Sequence, residues 1–421
     1  MKIQPNVLSL SDFDRQTGRL DMKTNDTADA VLCIAGDWAP IRAFAPLIET
    51  DPEAVYGDLL PVIRAADLAV VNLEAPLSDA GEPLGKSGAV FKGETRHVSG
   101  LSAVPFHVAT LANNHMFDFG TAAFVQTTDT LDKNGIRHVG AGMNEDQAGQ
   151  PLIIGAGGVS VGIVNFSEGE DLTAAGQGPG VMGWDLDRVT GTVADLKKKV
   201  DIVLVISHCG IEYVPFPPPY VVSAFEAAAD AGADMVIGHH PHVPQGISFR
   251  GNVPICYSLG NFVFYQPTRL VWRKLGYLVN AGVSTQGLVS LAVVPYRIHD
   301  LGVSLLDNHE SSRFFEKING ISRPLEKKAG LMDTWHGFLD YYGVTGFEKE
   351  IAMIMEKLQV DPVKGAAMFR NRLTTLQHFH HFKDLMTRII KGEMNTSPGW
   401  ARDLNREWLT LVCDEKNSKP I

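Results

Sequence analysis

No stretch of this 421-residue chain stays apolar long enough to span a bilayer as a helix. Its most apolar segment, residues 151–166 (PLIIGAGGVSVGIVNF), carries five Gly or Pro residues and suits two strands and a turn. The N-terminal MKIQPNVLSLSDFDRQ lacks the apolar core of a secretory signal and turns acidic early, so a cytoplasmic protein is expected. Cysteine is scarce. Cys33, Cys209, Cys256 and Cys413 lie far apart, three of them in or beside strand-like runs where a reduced thiol is a small apolar filler, and they do not make a disulfide framework. Basic residues are outnumbered, 37 Lys and Arg against 48 Asp and Glu, for a formal charge of −11, and no basic tract occurs. Binding a phosphate backbone needs clustered cations that release counterions, so nucleic acid is not an expected partner. The phosphate-binding G-x-x-x-x-G-K-[ST] loop is missing. Gly155-Ala156-Gly157-Gly158 has neither the further glycine, replaced by Ser160, nor the following helix that a dinucleotide site requires.

What remains is an ordinary globular composition, 45% apolar and 20% charged, with 41 glycines for turns. Short β-branched runs at Val31 to Ala35, Leu68 to Val71, His107 to Leu111, Ile202 to Ile206, Met235 to Ile237 and Ile255 to Tyr257 alternate with helical patterns, which predicts an α/β layered fold. Gly120 to Lys133 and Tyr220 to Ala231 read as amphipathic helices closed by Gly135 and Gly232. Ile247 to Tyr257, with Gly251-Asn252 at its middle, reads as a hairpin, and Gly287 to Ile298 as a further strand, so the sheet is expected to be mixed. Beyond about residue 305 the spacing turns helical, as in Phe347 to Leu358 and Thr374 to Ile390. The expected division is an N-terminal extension (1–29), a main domain (30–304) and a helical C-terminal region (305–421), whose role as lid, cap or homodimer surface the residues leave open. His378, His380 and His381 in that region read as a helix surface.

Chemistry-bearing residues cluster where the strand-like runs end, the place at which α/β sheets bind ligands. The strongest signal is Gly238-His239-His240-Pro241-His242, because an H-x-H loop after a strand lets two imidazoles reach one or two metal ions. Asn113-Asn114-His115 follows another strand. Asn114 can offer an amide oxygen to a metal, while an unligated His115 can protonate a leaving group or orient a water, although a helix cap with a structural histidine fits the same residues. His208, Asp37 and Glu74 stand at three more strand ends and complete a set of carboxylates and imidazoles suited to Mn, Fe or Zn. Each alone reads as structural; five strand ends with ligand-type residues together favour chemistry.

The ordered set Gly36-Asp37, Asn72-Leu73-Glu74-Ala75-Pro76-Leu77, Leu111 to Gly120, His208 to Tyr213, Ala231 to Val243 and Tyr257 to Phe262 resembles the poly-gamma-glutamate capsule-biosynthesis (CapA) family, over about residues 30 to 300. The resemblance implies the calcineurin-like metallophosphoesterase fold: a four-layer α/β sandwich of two mixed β-sheets flanked by helices, here with a C-terminal helical appendage. It also implies two divalent metal ions. Glu74 would bridge them, Asp37 and His242 lie toward one, and Asn114, His208 and His240 toward the other, with His115 as general acid or transition-state stabiliser. The first aspartate of such phosphoesterases is usually followed two residues later by histidine, where this chain has Ala39, and tryptophan is common where Cys209 stands. The extra histidine leaves His239 as an alternative to His240.

Lys86, Lys92 and Arg96 follow the acidic motif, where the family carries basic residues. They are candidates to receive substrate anions, with Glu212, His239 and Asn261 as further substrate-binding candidates and Tyr213 and Ser258 as pocket lining. The implied function is a metal-dependent hydrolase that uses a metal-activated hydroxide on a phosphoester or a γ-glutamyl-type amide, with a small anionic or glutamate-containing substrate. A transferase remains open. The alternative is a non-catalytic binding or assembly factor in polymer biosynthesis that has lost one metal at Ala39.

Overall fold

The computed structural model describes residues 13–14, 17–22 and 26–412. Cys413 and most of the N-terminal segment considered for export lie outside the described residues. Two mixed sheets form the centre. In the first, the strands run in the order Arg19–Asp21, Gly287–His299, Leu275–Ser284, Ala30–Ala39, Leu68–Leu73, Val108–Thr110, Arg137–Val139, with Asn261–Phe264 and Gly302–Leu305 paired beside this path. In the second the order is Ile247–Arg250, Val253–Cys256, Met235–His239, Ile202–His208, Val159–Ser167, Leu152–Ala156. The middle strands of each sheet are parallel and the hairpins at the margins antiparallel.

Alternation along the strands decides which face each side chain covers. Leu32, Ile34, Leu68 and Val70 join Val161, Ile163, Leu204 and Ile237 in one apolar core between the sheets. Cys33, Ala35, Ala69 and Val71 turn the other way, onto Phe44, Ile48, Phe124 and Leu131 of the helices Phe44–Thr50 and Gly120–Lys133. The helices Leu186–Leu196 and Pro219–Asp230 cover the second sheet, and a side chain at Gly162 would run into Leu196 and Val200. Helix, sheet, sheet, helix is the four-layer sandwich expected above. Strands buried on both faces carry near-continuous apolar runs for this reason.

Three details depart from the sequence reading. Ala30–Ala39 continues through Asp37, so that carboxylate stands inside the strand. The register against Leu68–Leu73 shifts between Ile34 and Asp37, and this bulge aims Asp37 into the gap between the sheets. Gly36 is required at the bulge, because any Cβ there would lie 2.3 Å from the Gly260 carbonyl oxygen. The strand Leu275–Ser284, antiparallel to Ala30–Ala39, was not anticipated, since Gly276, Asn280 and Gly282 interrupt its β-branched pattern.

Beyond residue 305 the chain is helical. Asn308–Ser322 does not stand apart, since its Phe314, Phe315, Ile318 and Ile321 belong to the core between the sheets. Lys328–Val360 is broken at Gly343, where φ is +58°, and is followed by Pro362–Thr374, Leu376–Lys391 and Gly399–Thr410. Trp408 returns to the sandwich and stacks on Trp272 with ring centroids 3.7 Å apart. No helix among the described residues is long and apolar enough to cross a membrane.

Candidate metal centre

The carboxyl ends of the parallel strands of both sheets meet at one rim, and there the structure brings together Asp37, Glu74, Asn114, His115, His208, His240 and His242, all buried. Glu74 Oε1 lies 3.5 Å from His208 Nε2, 3.6 Å from His242 Nε2 and 4.0 Å from His115 Nε2. His208 Nε2 is 3.1 Å from Asn114 Oδ1 and 3.0 Å from His240 Nδ1. Asp37 Oδ2 is 3.5 Å from His242 Nδ1. Two groups of candidate ligands each have their donor atoms within 4.8 Å of one another, Asp37, Glu74 and His208 in one and Glu74, His240 and His242 in the other, and Glu74 is common to both.

The loop that presents the imidazoles is strained. His240 and His242 have φ of +98° and +56°, a region that side-chain-bearing residues rarely occupy and that costs roughly 1–3 kcal/mol per residue. Around them the fit is close: Ser258 Oγ donates to the Val243 carbonyl at 2.8 Å, and Asn261 Oδ1 lies 2.8 Å from His242 Nδ1, which leaves Nε2 of that ring facing Glu74. Asn72 Nδ2 is shared between Asp37 Oδ1 at 2.8 Å and His208 Nδ1 at 3.2 Å.

Charge in this pocket is unbalanced. Burial opposes ionisation of Asp37, yet His239 and His242 outweigh it and hold the carboxyl well below the usual range. Burial and then the charge of Asp37 push Glu74 well above it. Burial works against a proton on His242, but Glu74 and Asp37 pull its pKa up to about 10. His208 goes the other way, lowered by burial and by His240. Asp37 Oδ2 and both oxygens of Glu74 have no hydrogen-bond partner although fully buried. Leaving buried carboxylate oxygens uncompensated costs several kcal/mol, and the pocket therefore calls for added positive charge. Divalent cations fit this mixed oxygen and nitrogen set, and Glu74 could serve two of them.

Beside the donors a cleft of about 330 Å³ is lined by Arg42, Lys86, His115, Glu212, Tyr213 and Arg273, among others. His115 Nδ1 is 2.6 Å from Asp118 Oδ2, and Lys86 Nζ donates to Asp118 Oδ1 and to the Asn114 carbonyl, both at 2.7 Å. Asp118 thus fixes the imidazole with Nε2 turned toward Glu74 and the cleft. Burial and Lys86 lower the His115 pKa, so the ring is neutral unless a negative charge arrives nearby.

Several sequence-predicted substrate contacts are placed elsewhere. Lys92 extends over the Phe119 ring at 4.4 Å, and Arg96 is exposed and paired with Glu49 and Glu94 at 3.1 and 3.0 Å. Lys86 reaches the cleft wall, but its ammonium is spent on Asp118. His239 is 1% exposed, with Nδ1 3.1 Å from Asp37 Oδ1 and neither ring nitrogen hydrogen-bonded, and it lies outside the two candidate ligand groups and the cleft lining. Asn261 is fully buried and braces His242. Glu212 and Tyr213 do line the cleft. Ala39 packs with Ile41, Ala75, Phe91 and Phe264, so an apolar cluster occupies the position of the usual histidine. Nor are His378, His380 and His381 a helix surface. His381 is buried against Phe338 and Tyr342, and His380 stacks on Tyr220.

Sequence reading missed Arg42 and Arg273, which no motif marks, and Glu168 and Glu170, which the strand-end rule would have found after Val159–Ser167. Arg42 donates to the Tyr265 carbonyl at 2.8 Å, and the Arg273 guanidinium lies 3.3 Å from the Tyr213 ring centroid.

A four-layer sandwich with buried carboxylates and imidazoles at the strand-end rim defines an α/β protein with a candidate metal centre. Its family is also plain: residues 31–266 match the model of the bacterial capsule synthesis protein PGA_cap, and the chain belongs to that family. It is 30% identical over 254 residues to the PGA biosynthesis protein CapA of Bacillus subtilis, covering 59% of this chain and 66% of that one. It is 29% identical over 292 residues to a "Probable polyglutamine synthesis accessory protein" of Mycobacterium tuberculosis, covering 64% and 76%. The chain thus spans just under two thirds of the Bacillus relative's length. A solved 5'-nucleotidase precursor from Thermus thermophilus aligns over 70% of this chain and 59% of its own, with 15% identity and a TM-score of 0.40.

Proposed function

We propose that the protein is a metal-dependent hydrolase that holds two divalent cations and acts on an anionic substrate, a phosphoester or a γ-glutamyl-type amide. The observation that carries this reading is the pair of candidate ligand groups sharing Glu74, whose two oxygens are buried without a hydrogen-bond partner. By the family resemblance Asp37, Glu74 and His242 would hold one ion and Glu74, Asn114, His208 and His240 the other, whereas the distance groups pair Asp37 with His208 and His240 with His242 around Glu74. Bound ions supply Lewis acidity and bring the pKa of a water toward neutrality. The chain's own residues do the rest. His115, with Nδ1 held by Asp118, would take up a second proton at Nε2 when an anionic substrate enters the cleft and give it to the leaving group, and Arg42 and Arg273 receive the substrate's negative charge. We place this activity in the cytoplasm, which fractionation of the native protein checks.

The test is a metal count by anomalous scattering on protein purified without chelator, with a screen of phosphomonoesters, phosphodiesters and γ-glutamyl dipeptides. Turnover that needs the metal and is lost in His115→Ala supports the reading. Fewer than two bound ions with no turnover in either substrate class favours a second reading, a non-catalytic accessory factor in polymer synthesis. That reading draws on the apolar packing at Ala39 and on the accessory role in the mycobacterial relative's name.

A further inference from the structure

The helices after residue 360 lie outside the family match, yet they touch the candidate metal centre at two points. Gln377, in the first turn of Leu376–Lys391, is 4% exposed, and its Nε2 lies 3.3 Å from His240 Nε2. Its backbone N–H donates to Glu168 Oε2 at 3.0 Å, and Glu168 Oε1 accepts from Tyr220 at 2.5 Å and from the Gly210 N–H at 2.9 Å. In the preceding helix Pro362–Thr374, Asn371 Nδ2 donates to Glu170 Oε1 at 2.8 Å, and Glu170 Oε2 accepts from Asn114 Nδ2 at 3.0 Å. Asn371 Nδ2 also donates to Ser87 Oγ at 2.8 Å, which ties the helix to the cleft wall. Asn114, Ser167, Glu168, His208, His240 and Gln377 surround a hole of about 10 Å³, room for about one water-sized particle.

From this we infer that the C-terminal helices complete the metal centre: Gln377 is a positioning residue for His240, and Asn371, through Glu170, is one for Asn114. The inference rests on the two-ion reading and concerns the ion on the His208 side. An imidazole that offers Nδ1 to a cation carries its proton on Nε2, and the group that takes this hydrogen bond sets the ring's orientation and strengthens it as a donor. Gln377 can take it through Oε1, because a carboxamide presents a donor and an acceptor of nearly equal size. In the same way Glu170, accepting from Asn114 Nδ2, leaves Asn114 Oδ1 pointing at His208. Losing such a partner weakens metal binding by roughly 10- to 100-fold.

The test uses full-length wild type, Gln377→Leu, Gln377→Glu and Asn371→Ala. Each is stripped with chelator and titrated calorimetrically with Mn²⁺ or Co²⁺. Bound metal is counted by mass spectrometry, and the visible spectrum of the Co²⁺ form is recorded. Gln377→Leu is expected to lose affinity for one of two ions on the order of 10- to 100-fold and to shift the Co²⁺ spectrum. Gln377→Glu keeps the acceptor and holds both ions, and Asn371→Ala weakens the same ion as Gln377→Leu. A wild type that takes up fewer than two ions overturns the two-ion reading itself. A two-ion wild type whose Gln377→Leu and Asn371→Ala variants match it in affinity and spectrum overturns this inference alone. If Gln377→Leu and Gln377→Glu lose both ions together and melt early when stripped, the helix is only scaffolding, and the inference is again overturned.

Discussion

Glu74→Gln reverses sign with metal. In the stripped protein Glu74 has both oxygens buried without a partner, and its carboxyl is pushed well above the ordinary range by burial and by Asp37. A neutral amide of the same shape keeps polar atoms that want partners but cannot carry the negative charge that burial and Asp37 oppose. Stripped Glu74→Gln is therefore expected to melt a few degrees above stripped wild type. With metal the order inverts. Each ion present at 100 times its dissociation constant stabilises the folded state by about 2.7 kcal/mol, and Glu74 belongs to both candidate ligand groups. Wild type gains about 5 kcal/mol from two ions, about 10 °C at roughly 2 °C per kcal/mol for a chain of this size, and the variant loses most of that gain. Calorimetric melts with chelator and with excess Mn²⁺ measure both arms. The reasoning fails if stripped Glu74→Gln melts no higher than stripped wild type, or if metal raises both proteins equally.

Stripped wild type is expected to lose stability as pH rises. His242, whose folded pKa is about 10, contributes fully below its unfolded value near 6.5 and progressively less up to 10. Glu74 adds to the loss above its unfolded value near 4.3, because its folded pKa is raised. Melts across pH 6 to 10 that stay flat without metal contradict this charge arrangement. On any substrate that turns over, His115→Ala lowers kcat by roughly 10²- to 10⁴-fold while bound metal is unchanged. Loss of metal together with activity would place His115 among the ligands instead. Arg42→Ala and Arg273→Ala raise KM for an anionic substrate with little change in kcat; equal falls in kcat alone would remove them from substrate binding. Trp408→Ala, which vacates the stack on Trp272, costs about 3–5 kcal/mol in denaturant melts, and a cost below 1 kcal/mol would show that the last helix is dispensable.

Much of the site was legible because its residues lie in short, locally recognisable strings. The run from Gly238 to His242 ends a buried strand, and the strand-end position of Glu74 and His208 follows from the same sheet geometry, while Asp37 lies two residues short of its strand's end. Glu168 was equally legible and was overlooked. Arg42, Arg273, Asn371 and Gln377 were not legible, since each sits in a loop or helix whose local pattern describes only packing. Lys92 and Arg96 lie away from the cleft for the same reason: their charge is visible in sequence, but the direction each side chain takes is not. The strand Leu275–Ser284 escaped because its glycines and asparagine hide a run whose burial comes from partners on both sides.

By itself the order of residues determined the layered α/β class, the helices at Gly120–Lys133 and near Pro219–Asp230, and the strand-end set of imidazoles and carboxylates. These depend on periodicity and turn chemistry within a few residues. Only the tertiary structure decided that Asp37 and Glu74 from one sheet face His208, His240 and His242 from the other, that His239 stands behind Asp37, and that Gln377 reaches His240 across 137 positions of chain. Those contacts come from two sheets closing over a shared core. Which distant side chains then lie within 4 Å is set by the packing of every layer at once.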